Sequence, residues 1–526
     1  MKGTGIEGNV VVKDHRKIRL KFALAYPSPY ATGMGNLGIR LLYELINNRE
    51  DALCERFFFT GYGDTPRSME SGMTMDRFDV VGFSLQHEMD YLRALDMISS
   101  SRIPLHSVDR QRPVVIAGGP SVTSNPMPLS VFMDFFVIGE VEPIMDQLMD
   151  AMPSKDGGVL DSIPGVYRFG SEAERIFVKD LNGAYHAVRQ VHSVTGESFT
   201  SSFLLEVSRG CSRGCRFCVE CHLYHPKRER SLESIAGIVE EGIALTGVDR
   251  VMCISSAFFD HSRLKGILEL LKSKQLKFSL PSIRISDVKE ELIGLLAAGG
   301  QRTLTLAPET PCERLRAVIN KRLDEGHLLE TLSLARKAGI TSLKLYFMVG
   351  IPGESLSDIE ELKPLLAKII STGFKPGSIH ISVNPMIPKS NTPFQWAPMI
   401  CEDGFKERLS LLRRVCVGLG VRRIEAMDYR WGAIQAYLST SGVEASRTLE
   451  FLVEDLRQGG AGDLGSWRRV LREGGESFDS IYKPKMLEDR LPWEPIKGTF
   501  SRSILQKDYE RAVSYAKAGD DERGVP

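Results

Sequence analysis

The chain carries no excess charge, no apolar run of membrane length and no second group of cysteines. Lys+Arg and Asp+Glu are equal at 67 each in 526 residues, so no global field draws in nucleic acid or an anionic membrane. No run reaches the ~18 uninterrupted apolar residues of a transmembrane helix. Met1–Lys17 is polar and mixed in charge, without the apolar core of a secretory signal. A cytoplasmic protein is expected, with no membrane partner and no nucleic-acid partner. No internal repeat or low-complexity tract stands out. The remaining composition, 42% hydrophobic and 25% charged, is ordinary for a soluble globular protein. At ~100–200 residues per domain the length allows two to four of them.

Cysteine is scarce except in one place. Of nine, four fall within the eleven residues 211–221, and the others are scattered at 54, 253, 312, 401 and 416. An odd count with one tight cluster favours metal ligation over a disulfide framework. Cys211-Ser-Arg-Gly-Cys215-Arg-Phe-Cys218 reads C-x3-C-x2-C. A cubane [4Fe–4S] cluster normally takes four thiolates. Three close cysteines hold three irons and leave the fourth open. An open iron can chelate the amino and carboxylate groups of S-adenosylmethionine (SAM), and electron transfer into the sulfonium then releases a 5′-deoxyadenosyl radical. Gly210 and Gly214 permit the tight loop, and Phe217 is placed to shield the cluster from water. Zinc is the alternative, but zinc ribbons use paired knuckles some distance apart, and no second pair exists. Cys221 stays open between a spare thiol and a fourth ligand. The first is preferred, because a fourth ligand would block SAM.

The rest of the pattern is α/β. From Ile18 to about Ala151, KFALAYPSPY, FDVVGFSL, PVVIAGGP and DFFVIGE are apolar runs ending in turn residues, with helical spacing between several of them. This predicts a doubly wound, Rossmann-like parallel sheet, with ligands beyond the strand ends at Pro27–Tyr30, Ser84–Gln86, Gly118–Thr123 and Gly139–Glu140. Residues 152–200 read as a linker with a small β element. Residues 201–425 hold six βα units, from FLLEVSRG to SIHISVNPMIP, which fit a partial or full β/α barrel. Residues 426–526 read as mainly helical, with no catalytic motif. The expected units are therefore 1–151, 152–200, 201–425 and 426–526.

At VSRGCSRGCRFC the sequence resembles the radical SAM superfamily, and further motifs follow in the family's order over about 220 residues. The resemblance implies that Cys211, Cys215 and Cys218 hold the cluster and that Phe217 belongs to the SAM site. It implies that CISSAF (Cys253–Phe258) sets Ser255 and Ser256 by the methionyl amino group. LPSIR (Leu280–Arg284) is similar to the strand whose Ser282 and Arg284 approach the carboxylate and ribose. A carboxylate suits a bidentate arginine. LAPETPCERLR (Leu306–Arg316) resembles P-E-[TS]-G-[ST]-x-R, with Glu309 on SAM and Pro311 in place of the usual Gly. MVGIPGES (Met348–Ser355) looks like the strand that packs Gly350 and Pro352 on adenine.

The stretch AGGPSVTSNPMPLSVFMDFFVIGEVEPI (Ala117–Ile144) resembles the cobalamin-binding domain fused to many radical SAM enzymes. The implied cobalamin contacts are Pro27, Ser28, Tyr30, Ser84, Gln86, Gly118, Gly119, Ser121, Thr123, Gly139 and Glu140. The D-x-H-x-x-G motif that supplies an axial histidine is absent, as in many radical SAM members of that group. PKSNTPFQW (Pro388–Trp396) and LPWEPI (Leu491–Ile496) resemble a subgroup with the same domain order but no named substrate.

The implied reaction is methyl transfer to an unactivated carbon, using a [4Fe–4S] cluster, SAM and cobalamin. One SAM supplies methyl through cobalamin and another yields the radical that abstracts hydrogen, so no catalytic base is assigned. A protein or peptide substrate is expected. The leading candidate is a glutamine α-carbon in the α subunit of methyl-coenzyme M reductase, with ferredoxin or flavodoxin as electron donor. Rivals are a rearrangement or cyclisation enzyme, a methylthiotransferase and a cobalamin or iron sensor. The methylthiotransferase family needs three more N-terminal cysteines, and only Cys54 is there. The basic stretch Lys227–Arg230 reads as a solvated face.

Overall fold

The structure, a computed structural model, describes residues 7–152, 157–194, 200–280, 290–475 and 477–521. Its first layer is a six-stranded sheet in the spatial order Ala52–Phe58, Leu20–Tyr26, Val80–Ser84, Val114–Gly118, Phe135–Val137 and Val166–Tyr167. The first five strands are parallel and the last is antiparallel. Strands covered on both faces need apolar residues at nearly every position. Ala52–Phe58 is buried throughout, and Leu20–Tyr26 at all but Lys21. Ala23, Ala25, Phe83 and Ala117 face one core, with the helix Asp90–Ser100. Phe22, Leu24, Ile116 and Val137 face the other, with the helices Leu37–Asn47 and Met145–Ala151. The strand order reverses between Leu20–Tyr26 and Val80–Ser84, and such a switch point opens a crevice at the strand ends.

Residues 152–200 do more than link. Leu160, Ile163, Val166 and Val191 are buried in the core of the sheet. Val166–Tyr167 completes that sheet, His192–Ser193 pairs with Glu7–Gly8, and Ala173–Glu174 pairs with Ile496–Lys497. Apolar residues at these positions cannot stay solvated, so the segment folds onto its neighbours.

The second unit is a curved array of parallel strands. Phe203–Glu206, Arg250–Ile254 and Lys277–Ser279 form one arc. Thr303–Glu309, Ser342–Val349, Ile379–Pro385 and Arg423–Ala426 form another. The strand Arg423–Ala426 was not foreseen. It lies at the sheet edge with no fully buried residue, so it lacks the apolar run that marked the other six.

The last region is helical, with Tyr429–Thr440, Ala445–Arg457, Leu464–Gly474 and Arg502–Asp521. It is also embedded. Leu449, Leu452 and Val453 share a core with Tyr91 and Leu95 of the first unit and with Leu345 and Ile381 of the second. Trp493 is buried and its indole N–H donates to Gln395 Oε1 at 2.8 Å.

Candidate cofactor site between the two sheets

The thiol loop follows the first strand of the second unit. Gly210 has φ 84°, and a Cβ there would lie 2.0 Å from the Tyr224 carbonyl oxygen, so only glycine fits. Gly214 also has positive φ, and its carbonyl accepts from Asn320 Nδ2 at 2.8 Å. Arg216 holds the loop from behind. Its guanidinium donates to the carbonyls of Ala317 and Val318 at 2.7 and 2.8 Å and pairs with Asp508 at 2.9 Å. Cys218 caps the short helix Val219–Leu223. Cys211, Cys215 and Cys221 are buried, Cys218 is half-buried, and Phe217 packs over them. Cys221 packs in the same cluster as Cys211, Cys215 and Cys218. A pocket of soft thiol donors in apolar surroundings suits an iron–sulfur cluster.

This loop opens into a cavity of about 770 Å³ that is shared with the first sheet. The barrel side of its wall carries the cysteines, Phe217, Glu220, Ser255, Ser256, Glu309 and Lys321. Glu309 sits at φ 66°, an uncommon conformation for a non-glycine residue, and ion-pairs with Lys321 at 2.7 Å. Ser255 Oγ lies 2.6 Å from Ser208 Oγ, and Ser256 donates to Glu220 at 2.6 Å. Burial pushes the Glu220 carboxyl up, against the Ser256 hydrogen bond.

The opposite side is the sheet edge. Ser84, Gln86, Gly118, Gly119, Gly139 and Glu140, six of the residues expected at the strand ends, line it. Behind them runs an apolar slot made by Leu24, Leu41, Leu42, Ile46, Ile116 and Leu148. Sequence reading missed the slot, because Leu41, Leu42 and Ile46 have the spacing of any core-facing helix.

Several expected site residues lie off this wall. Tyr30 donates to Glu7 at 2.6 Å, Ser28 Oγ accepts from Arg93 at 3.3 Å, and Pro27 is buried. Ser121 donates to the Leu85 carbonyl at 3.1 Å, and Thr123 Oγ1 accepts from the Gly139 N–H at 3.1 Å. None of these five lines the cavity. Gly350 and Pro352 are also off the wall. The Gly350 N–H donates to Glu354 at 2.6 Å, and the neighbouring Gly353 abuts Ala516 of the final helix. Ser282 and Arg284 lie outside the described residues.

Glu140 is on the wall, but its carboxylate is already committed. It takes Arg228 at 2.8 Å, Arg209 at 2.8 Å and the Val178 N–H at 2.8 Å. Burial alone would raise this carboxyl, and the two arginines hold it below the usual carboxylate range. Arg209 reaches Glu142 at 2.9 Å and Glu206 at 2.8 Å as well, and Arg230 joins Glu206 at 3.2 Å. The stretch Lys227–Arg230 therefore faces inward. Arg228 and Arg230 are buried, and Lys227 pairs with Glu229 at 2.5 Å. Together these charges form the seam that fixes the thiol loop against the first sheet.

Fold and site together define an α/β protein in which an iron–sulfur loop and a nucleotide-fold sheet edge share one chamber. The chain belongs to the radical SAM superfamily. Residues 205–366 match the family described as the radical SAM superfamily, and residues 38–161 match radical SAM proteins, N-terminal. That family binds a [4Fe–4S] cluster and SAM. The uncharacterized protein MJ0966 of Methanocaldococcus jannaschii is 29% identical over 463 residues, 85% of this chain and 98% of that one. Cytidylyl-2-hydroxyethylphosphonate methyltransferase of Streptomyces wedmorensis is 26% identical over 242 residues, 44% of this chain and 42% of that one. The fold is similar to TsrM from Kitasatospora setae, a radical S-adenosylmethionine methyltransferase solved with cobalamin and a [4Fe–4S] cluster. The TM-score is 0.53 at 14% identity, over 84% of this chain and 99% of that one. Among the described residues no helix is long and apolar enough to cross a membrane.

Proposed function

We propose that this chain is a cobalamin-dependent radical SAM methyltransferase that adds a methyl group to an unactivated carbon. The observation that carries this reading is the single cavity: a thiol loop on one side, a Gly-rich sheet edge with an apolar slot on the other. A cofactor site of this kind is concave, mostly apolar and fitted with few polar groups. Gly118 leaves the rim open, since a Cβ there would meet nothing closer than 3.7 Å. The slot suits the flat rings of cobalamin, and Ser84 and Gln86, themselves hydrogen-bonded at 3.0 Å, supply polar contacts at its mouth. Among the described residues no histidine lines the cavity. Two similar proteins, TsrM and the phosphonate methyltransferase, are methyltransferases, which supports the same reaction class.

When bound, the cluster with SAM supplies a radical and cobalamin carries the methyl group. The chain's own residues do the placing. Cys211, Cys215 and Cys218 present three thiolates, Phe217 excludes water from them, and Glu309 offers a carboxylate held by Lys321. The seam around Glu140 keeps the two sides of the chamber at a fixed separation.

The proposed substrate is a carbon of a peptide or protein residue, the first target to try being the glutamine of methyl-coenzyme M reductase, with a ferredoxin or flavodoxin donating electrons. This finer reading rests on the family resemblance of the sequence. The test is anaerobic reconstitution with iron, sulfide and cobalamin, followed by SAM, a reductant and the peptide. Cobalamin absorption bands, 5′-deoxyadenosine, S-adenosylhomocysteine and a product heavier by one methyl group are expected. A protein that binds the cluster yet takes up no cobalamin overturns the methyltransferase reading. An isomerised product of unchanged mass points to the rearrangement enzyme instead.

A further inference from the structure

The three-cysteine motif accounts for three of the four thiols in the loop. The fourth is not peripheral. Cys221 is 3% exposed, the most buried of the four, and it packs in one cluster with Cys211, Cys215 and Cys218. It stands on the one-turn helix Val219–Leu223 that Cys218 caps, so the spacing from Cys218 turns it back toward the loop. The spacing carries an independent signal. Cys215, Cys218 and Cys221 form C-x2-C-x2-C, the run that ferredoxins use to bind three irons of one cubane. Two overlapping three-thiol sets thus share one loop. A cubane has four irons, and the loop gathers four thiols in one cluster, three of them buried and Cys218 half-buried.

We propose that Cys221 is the fourth thiolate of the resting cluster and that SAM displaces it. The inference rests on the radical SAM reading and deepens it. In the exchange the bond between iron and Cys221 sulfur breaks, and bonds from the amino nitrogen and a carboxylate oxygen of SAM form. The proton that the ammonium group gives up goes to the departing thiolate, so no oxidant or reductant is consumed. Cys221 then covers the reactive iron until SAM arrives, and stays 3% exposed rather than opening a path to solvent. A resting ligand also lowers the fraction of chain ready for SAM, and the apparent affinity falls by that fraction.

The experiment compares the full-length wild type with Cys221→Ala and Cys221→Ser, each reconstituted anaerobically with ⁵⁷Fe. Iron and sulfide content, Mössbauer spectra and SAM dissociation constants are measured before any turnover. All three proteins are expected to hold a full cluster, since Cys211, Cys215 and Cys218 remain. The wild type without SAM should show four equivalent thiolate irons, and addition of SAM should set one apart. Both variants should show the distinct iron already without SAM. They should bind SAM about tenfold more tightly, as follows if about a tenth of resting wild type has the open site. Identical spectra for wild type and variants without SAM, with a SAM response in both, overturn this proposal and leave the radical SAM reading intact. A wild type that never responds to SAM while the variants do makes Cys221 a permanent ligand and overturns the displacement. Absence of a SAM response in every protein overturns both readings together.

Discussion

The two sides of the central chamber are built by opposite means. The sheet side is made of space and apolar surface: Gly118, Gly119 and Gly139 at the rim, with Leu41, Ile46 and Ile116 behind. The barrel side is made of committed polar groups: thiols, Glu309 on Lys321, and the arginines of the seam. A bulky cofactor held by shape needs the first kind of wall, because its area is large and its polar groups few. A metal cluster and a zwitterion need the second, because each donor must be aimed. The difference teaches that the two sides should fail independently, and the seam is the one place where they share a fate.

The largest effect sharpens that contrast. Cys215→Ala should abolish cluster binding and SAM cleavage while leaving cobalamin uptake unchanged, as read by iron content, 5′-deoxyadenosine and the visible spectrum. Persistent 5′-deoxyadenosine in that variant means that the cluster lies elsewhere. Next comes the seam. Arg209→Met strips one partner from Glu140, Glu142 and Glu206 at once. Leaving buried charge uncompensated costs about 3–5 kcal/mol, so chemical denaturation should show a loss of that size and both cofactors should be held less well. Unchanged stability would break the idea of a shared joint.

A third change strikes the sheet side alone. Gly118→Leu places a side chain at the open rim, in space that the bound cofactor would need. Cobalamin affinity should therefore fall by about ten- to a hundredfold, with iron content untouched. A variant that loses iron as well contradicts the independence of the two sides. The smallest effect is a pH dependence at the seam. His186 is buried, its Nε2 accepts from the Glu206 N–H at 3.1 Å, and its Nδ1 faces the Ala187 carbonyl at 3.0 Å. Burial, followed by the charge of Arg230, lowers its pKa from 6.5 to about 4. The unfolded chain binds the proton first as pH falls, so this contribution is full above pH 6.5 and is lost down to about pH 4. Denaturation midpoints across that window should flatten in His186→Gln, and an unaltered slope means that the ring is not the titrating group.

The barrel side was legible in the sequence because its chemistry is local. Cys211, Cys215 and Cys218 announce themselves by spacing, and Ser255, Ser256 and Glu309 by strand-end motifs a few residues long. The alternation of strand and helix was legible for the same reason, since four of the five parallel strands leave plain apolar runs; the fifth, Ala52–Phe58, was missed because Glu55 and Arg56 interrupt its run. Long-range pairing was not. Glu140 read as a cofactor contact because its partner Arg228 lies 88 positions away. The stretch Lys227–Arg230 read as solvated because nothing nearby shows that Glu140 and Glu206 will meet it. Arg423–Ala426 was silent because an edge strand needs no apolar run. The apolar slot was silent because a helix lining a void and a helix lining a core carry the same stripe.

Arg216 sits between two of the cluster cysteines, and its acidic partner Asp508 follows 292 residues later in the chain. During translation the loop leaves the ribosome long before the helix Arg502–Asp521 that braces it. Chains grow at about 5–20 residues per second, so the nascent thiols wait on the order of tens of seconds without their final support. Assembly factors that deliver iron and sulfide should therefore act on the finished chain, and stalled or shortened polypeptides should emerge metal-free.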